Sequence, residues 1–410
     1  MNSVDLIPHL FRTEYRKIVS VLVRRFGLEH LEVAEDITSD TFLTATQSWG
    51  IEGVPDRPTA WLYQVAKHKA INFLQRQTRF GEIMSYDFKS VDNENLPDVD
   101  LSPQNINDSQ LRVMFAICHP SLPQKGQIGL ALRILCGFGI EEIANAFLTN
   151  KETINKRLLR AKQTLRNENI NTDFSDTDIE ARLPSVIKTV YLLFNEGYYS
   201  ISQAQTLRKD LCLEAMRLCT MLIENESTNK PEVNALLALM CFHFSRFEAR
   251  ISSQGEIILY QDQDRSLWNT DLIGKGGYFL NRAASGDKLS RYHLEAAIAY
   301  WNCQPSDSKD KWESILKLYD QLLQLEYLPS AALNRTYAYS KVYGKKAALV
   351  EAEKLDLRDN QFYFALLGEL YTDIDNEKAK LNLTKAIELA KSPADRNALN
   401  KSLEGLNRLK

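Results

Sequence analysis

One short stretch of this 410-residue chain concentrates cationic chemistry. From Glu141 to Arg166 it reads EEIANAFLTNKETINKRLLRAKQTLR, and its second half sets Lys151, Lys156, Arg157, Arg160, Lys162 and Arg166 against one acid, Glu152. Guanidinium and ammonium groups at that density suit phosphate oxygens, and both can also donate to base edges. The spacing adds to the composition. Ala144 is a small residue where two helices can cross, Leu148 opens a turn four residues later, and Ile154 follows six after that. Those are the intervals of a helix-turn-helix. Ile154, Leu158, Ala161 and Leu165 form one apolar stripe, which leaves Lys156 and Arg160 on the opposite side. A plain αα-hairpin with a solvated basic face shares much of this pattern, and Leu148 stands where such turns usually carry Gly.

A second cluster, Asp262-Gln263-Asp264-Arg265, offers two carboxylates two residues apart. They suit either a hard cation such as Mg²⁺ or a structural role, with Asp264 capping the next helix and Arg265 pairing nearby. Asn195-Glu196-Gly197-Tyr198 reads as a helix end turned by Gly197. Six Cys (118, 136, 212, 219, 241 and 303) form no C-x-x-C pair, and six His show no H-x3-H spacing. The expectation is buried thiols in a reducing cytoplasm, with no metal and no cofactor.

These residues must be positioned by helices. Only 17 Gly and 12 Pro occur, few for a chain rich in tight turns, so the fold class expected is all-α. The length implies two or three domains. Net charge is −3, which taken whole discourages a nucleic-acid reading. Its distribution reverses that. Residues 1–80 carry ten basic and nine acidic groups, 81–108 one and seven, 109–170 nine and four, and 171–410 thirty and thirty-three. The first block is helical, with Leu10, Ile18, Leu22 and Phe26 and then Val33, Ile37, Phe42 and Ala45 at helical spacing. A turn-rich break, WGIEGVPDRP, precedes a helix from about Thr59 to Arg79. Residues 81–108 lose periodicity and read as an acidic linker. From 175 to 410 the chain is helical apart from Ser252–Asp264, where a short hairpin or structured loop is expected. Phe364-x2-Leu367-Gly368-x2-Tyr371 followed by Ala379, Leu383 and Ala386 fits a tetratricopeptide-like hairpin. The longest apolar run, Ala235–Phe244, falls far short of the roughly 20 residues of a membrane span, and no signal peptide opens the chain.

In order, an acidic-edged helix, the WGIEGVPDRP loop, AWLYQVAKHKAINFLQRQTR, an acidic linker and a basic helix-turn-helix resemble the extracytoplasmic-function sigma factors. FAICHPSL (115–122) with AFLTNKETINKRLLRAK (146–162) is similar to the subgroup with a long helical extension, in which Phe-Leu fills the turn. VYLLFNEGYYS, DLCLEAMRL, PEVNALLALMCFH and EIILYQDQDRSLWN extend that resemblance over nearly the whole chain. Asn72 departs from it, since these proteins more often place Asp there.

The resemblance implies region 2 over 1–80, a linker over 81–108, region 4 over 109–170 and a tetratricopeptide-like extension over 175–410. It implies core RNA polymerase and promoter DNA as partners, a regulatory protein or ligand at the C-terminal domain, and no membrane and no enzymatic activity. Core binding would fall to Glu35, Asp36, Asp40 and Phe42; Asp36 and Asp40 lie one helical turn apart and share a face. Contacts to the −10 element would fall to Trp61, Lys67, Lys69, Arg76 and Arg79, beside a loop stiffened by Pro55 and Pro58. Trp61 and Phe42 also read as core aromatics. The −35 element would be met by Lys151, Thr153, Lys156, Arg157 and Arg160. The linker reads equally as a nucleic-acid mimic in a basic channel and as a solvated tether. The rival reading of the whole is a polymerase-independent helix-turn-helix regulator with a tetratricopeptide-like sensor; a third is an enzyme using Asp262 and Asp264.

Overall fold

A computed structural model describes residues 3–84, 99–168, 170, 172–199, 205–250, 258, 260–391 and 393–408. The chain forms two compact units, residues 1–196 with 224–228, and residues 197–223 with 229–410.

The first unit is organised around α1 (Ser3–Phe26). Tyr15, Ile18, Val19 and Leu22 recur at three- and four-residue steps and are sealed from solvent. They pack against α2 (Leu31–Glu52) and α4 (Pro103–Ile117), while α3 (Pro58–Met84) closes over α2. Each fully buried aliphatic side chain contributes about 1.5–3 kcal/mol, so this stripe holds the N-terminal helices to the later ones. Helix α4 starts where Ser102 accepts a hydrogen bond from the Asn105 amide and Pro103 takes the first helical position. Then come α5 (Gln124–Leu130), a π-helical turn over Ala131–Leu135, α6 (Ile140–Ala146), α7 (Lys151–Asn167) and α8 (Asp176–Tyr199).

Two expected boundaries shift. The linker expected over 81–108 loses both ends to helix, because α3 continues to Met84 and the Ser102-Pro103 cap starts α4 early. Its middle, 85–98, lies outside the described residues. The helix end expected at Gly197 is absent: α8 runs on to Tyr199 with Gly197 buried inside it. A helical Gly costs only about 1 kcal/mol against Ala, which packing readily overrides.

The second unit contains α9 (Gln205–Glu224), α10 (Pro231–Phe244), α11 (Thr270–Ala283), α12 (Arg291–Cys303), α13 (Lys309–Leu325), α14 (Pro329–Tyr343), α15 (Lys345–Glu353), α16 (Gln361–Tyr371), α17 (Asn376–Leu389) and α18 (Pro393–Arg408). Neighbouring helices pack in sequence from α10 onward. Helices α16 and α17 form the hairpin expected from the Leu367-Gly368 pattern. A Cβ on Gly368 would stand 2.7 Å from Leu383 Cγ, so only glycine allows this approach. Ala379, Leu383 and Ala386 are buried in the same seam. Of the stretch expected as a hairpin or loop, the described part holds a 3-10 turn at Tyr260–Asp262; residues 251–257 lie outside the described set. All six Cys are buried thiols. The described residues are all-α, without a strand, and no helix among them is long and apolar enough to cross a membrane.

Candidate functional site

The basic segment folds as a helix-turn-helix. The Thr149 amide donates to the Ala144 carbonyl at 2.9 Å, and Leu148 adopts φ of +50°. That left-handed conformation costs a β-carbon-bearing residue about 1–2 kcal/mol, which explains why glycine is usual there. Asn150 caps α7 by accepting from the Thr153 amide at 2.8 Å. The stripe Ile154, Leu158, Ala161 and Leu165 is buried, and the opposite face is polar and open.

On that open face, Thr153, Lys156, Arg157 and Arg160 line one shallow groove of about 370 Å³. Pro123, Lys125, Gly126, Ala161 and Thr164 complete it. The Arg157 guanidinium stands 4.9 Å from the Phe147 ring centre, a cation–π contact that orients its planar fork. Lys156 pairs with Glu152 at 2.7 Å, but both are exposed, so the pair contributes little and the ammonium stays available. Lys151 lies outside the groove and pairs with Glu141 at 3.0 Å. Lys125, exposed on α5, was not legible in sequence because it joins the groove only through packing of α5 on α7.

The region-2 residues separate into two sets. Asp36 and Asp40 are exposed on α2, as their shared face requires. Glu35 and Phe42 are not on that face. Phe42 is a core residue set edge-on to Phe11 at 5.0 Å. Glu35 is 8% exposed and takes two cations: Arg133 Nε donates to one oxygen at 2.8 Å, and Lys162 Nζ to the other at 2.6 Å. One residue along the helix from Asp36 is enough to rotate Glu35 inward by about 100°. Arg133 comes from the π-helical turn, whose Cys136 amide reaches back five residues to the Ala131 carbonyl at 3.1 Å. The same guanidinium donates to the Tyr15 hydroxyl at 3.3 Å. Burial pushes the Tyr15 phenol up to about 12, although Arg133 pulls the other way. Arg12 adds a further link by donating to Glu142 at 2.7 Å, and Arg24 pairs with Asp108 at 2.5 Å.

Among the expected −10 contacts, Lys69 is bound to the Asp40 carboxylate and donates to Thr44 Oγ1 at 2.9 Å. Lys67 is half-buried and Arg76 exposed. The Arg79 side chain lies outside the described residues. Trp61 is half-buried and packs edge-on to buried Trp49 with ring centres 5.4 Å apart. Of the rival Asp pair, Asp264 is a cap: it accepts from the Ser266 amide and hydroxyl at 2.9 and 2.7 Å.

Residues 10–80 match the family model for sigma-70 region 2, and residues 182–284 match a family of unknown function (DUF6596). The chain is 32% identical to an uncharacterized protein of Rhizobium meliloti over 395 residues, covering 95% of this chain and 93% of that protein. It is 29% identical over 168 residues to RNA polymerase sigma factor YlaC of Bacillus subtilis, 40% of this chain and 93% of the relative. It is also 29% identical over 167 residues to the ECF RNA polymerase sigma-E factor of Haemophilus influenzae, 39% of this chain and 86% of the relative. No solved structure matches. The chain carries a sigma-70 region 2 domain and is homologous to the extracytoplasmic-function sigma factors, and the DUF6596 match in its long helical C-terminal part agrees with the subgroup that bears such an extension.

Proposed function

We propose that this sigma factor binds core RNA polymerase and directs it to a restricted set of promoters in the cytoplasm, with the second unit regulating or supporting that act. The observation that carries the reading is the groove between α7 and α5, where Thr153, Lys156, Arg157 and Arg160 come together beside the packed stripe. A bidentate cation in such a place discriminates bases by about 1–3 kcal/mol per contact. Lys125 and Lys151 flank as phosphate contacts for the −35 element. Asp36 and Asp40 are the proposed polymerase contacts, whereas Glu35 serves an internal ion cluster and Phe42 supports α2 from beneath. Lys67, Arg76 and Arg79 are the proposed −10 backbone contacts. Lys69 would first have to leave Asp40, and Trp61 would act as support for the loop.

Run-off transcription with purified core polymerase and the full chain tests this. Promoter-specific transcripts are expected only when both are present. Specific binding to duplex DNA by the chain alone, with no transcripts on adding core enzyme, would instead favour a polymerase-independent regulator.

A further inference from the structure

Arg246, just past α10, and Lys311, in the first turn of α13, are both sealed, with 8% and 1% of their surfaces exposed. Among the described residues no carboxylate pairs with either. A buried charge without a counter-ion is among the costlier arrangements a fold can hold.

The two cations meet at Tyr260. The Lys311 ammonium donates to the Tyr260 hydroxyl at 3.1 Å and to the Gln304 carbonyl at 3.3 Å. The Arg246 guanidinium stands 5.3 Å from the Tyr260 ring centre and 5.6 Å from that of Trp268. Two donors of this cluster, Arg246 Nε and Trp268 Nε1, are buried without an acceptor. Several carboxylates near in sequence are engaged elsewhere, Glu248 with Lys209 at 2.6 Å, Asp264 on Ser266 and Asp307 on the Trp312 indole at 2.7 Å. Arg265 brings a third cation, 5.6 Å from the Trp268 ring centre. Burial pushes the Cys303 thiol up, while Arg246 and Lys311 act on it in the opposite sense.

Tyr260 also forms part of the wall of a cavity of about 900 Å³, together with Tyr199, Leu333, Tyr337, Phe362 and Leu366. A volume of that size accepts a small organic molecule, and its lining is mainly apolar and aromatic, with Ser330, Asn334, Asn360, Glu369, Thr372 and Ser402 among it. Tyr260 thus joins two features: it touches the buried cations and the orphaned Arg246 Nε and Trp268 Nε1 donors beside them, and it lines the cavity, which Arg246, Lys311 and Trp268 themselves do not. We infer that the second unit binds a small organic anion in this cavity, with an apolar or aromatic body along Tyr260 and a carboxylate or phosphate head turned towards the buried Arg246, Lys311 and Trp268 donors that Tyr260 adjoins. A neutral or cationic ligand would leave both charges and both orphan donors unanswered.

Thermal unfolding of the full chain, at constant ionic strength, tests this with inorganic phosphate, phenyl phosphate, benzoate and phenol as probes. A saturating aryl anion is expected to raise the melting temperature of the second unit by about 2–4 °C or more, and phenol to leave it unchanged. The stronger of phenyl phosphate and benzoate identifies the head group. Arg246→Met and Lys311→Met should each abolish the rise. Each should also raise the ligand-free melting temperature, because an uncompensated charge has gone. Phe362→Ala, at an exposed position in the cavity, should weaken aryl anions about two- to tenfold and leave the response to inorganic phosphate intact. The inference is overturned if no aryl anion outperforms chloride, or if both Met variants melt below the native chain without ligand, which would make the cations ring-stacking supports. No polymerase enters the measurement, so it stands apart from the reading of promoter selection.

Discussion

In the first unit Arg133 and Lys162 converge on the carboxylate of Glu35, whereas in the second Arg246 and Lys311 converge on the ring of Tyr260 with no carboxylate between them. Both pairs are withdrawn from water, yet they answer different needs. The first is satisfied by the chain itself, and the satisfying residue lies on α2 while its cations come from the π-helical turn and α7, so the pairing ties the two halves of the unit together. The second is neutralised by nothing in its described surroundings. Buried charge closed by the chain acts as a fastener; buried charge left open marks a place for something that arrives.

Four measurements would break or sharpen this contrast. Glu35→Ala strands two cations in the first unit and should cost about 3–5 kcal/mol by urea unfolding; a loss under 1 kcal/mol would reduce the cluster to an ordinary surface pair. Lys156→Ala with Arg160→Ala removes exposed cations, of which Lys156 has only the solvent-exposed Glu152 as partner. Promoter choice should be lost at about 1–3 kcal/mol per contact, with core-polymerase affinity unchanged and fold stability within about 0.5 kcal/mol. Equal loss of promoter and polymerase binding would count against the division of roles.

The third concerns His243, which burial holds well below its usual range, with Arg246 and Arg250 pushing the same way. An unfolded His takes up a proton near pH 6.5 while the folded one does not. Stability of the second unit should therefore be full above about pH 6.5 and fall as the pH drops, by up to about 1.4 kcal/mol per unit. His243→Gln should flatten that slope; an unchanged slope would assign it to other groups. The smallest effect belongs to Glu141→Gln, which frees exposed Lys151 and should cost under about 1 kcal/mol, vanishing at high salt while the Glu35 effect persists.

Much of the site was legible because it is periodic. The stripe Ile154, Leu158, Ala161 and Leu165 fixes which face of α7 is buried, so the sides taken by Lys156 and Arg160 follow from 3.6 residues per turn. The same reasoning recovered the Gly368 hairpin and the buried thiols. What escaped depends on chain distance. Nothing local to Glu35 announces that Arg133, 98 residues on, will claim it, nor does Lys125 carry any sign of the groove it joins. The π-helical turn adds one residue to a helical circuit, and that shift in register aims Arg133. The linker was overdrawn for the opposite reason, since polarity marks a loop while capping decides where it stops, and Ser102-Pro103 restarts the helix within an acidic stretch.

Gly368 does not line the cavity, yet it governs its width. Helix α17 can lie against α16 only because that position has no β-carbon in front of Leu383, and α18 rests in turn on α17. In a stack where each helical pair touches only its neighbours, a small change in one crossing is carried to the end of the arc. A methyl group added there would act as a wedge at a pivot, swinging α18 with its Leu399, Ser402 and Leu406 relative to the wall formed by α14. The seat of α18 beside the cavity thus depends on an atom that is missing, and the room for what fits inside depends on it too.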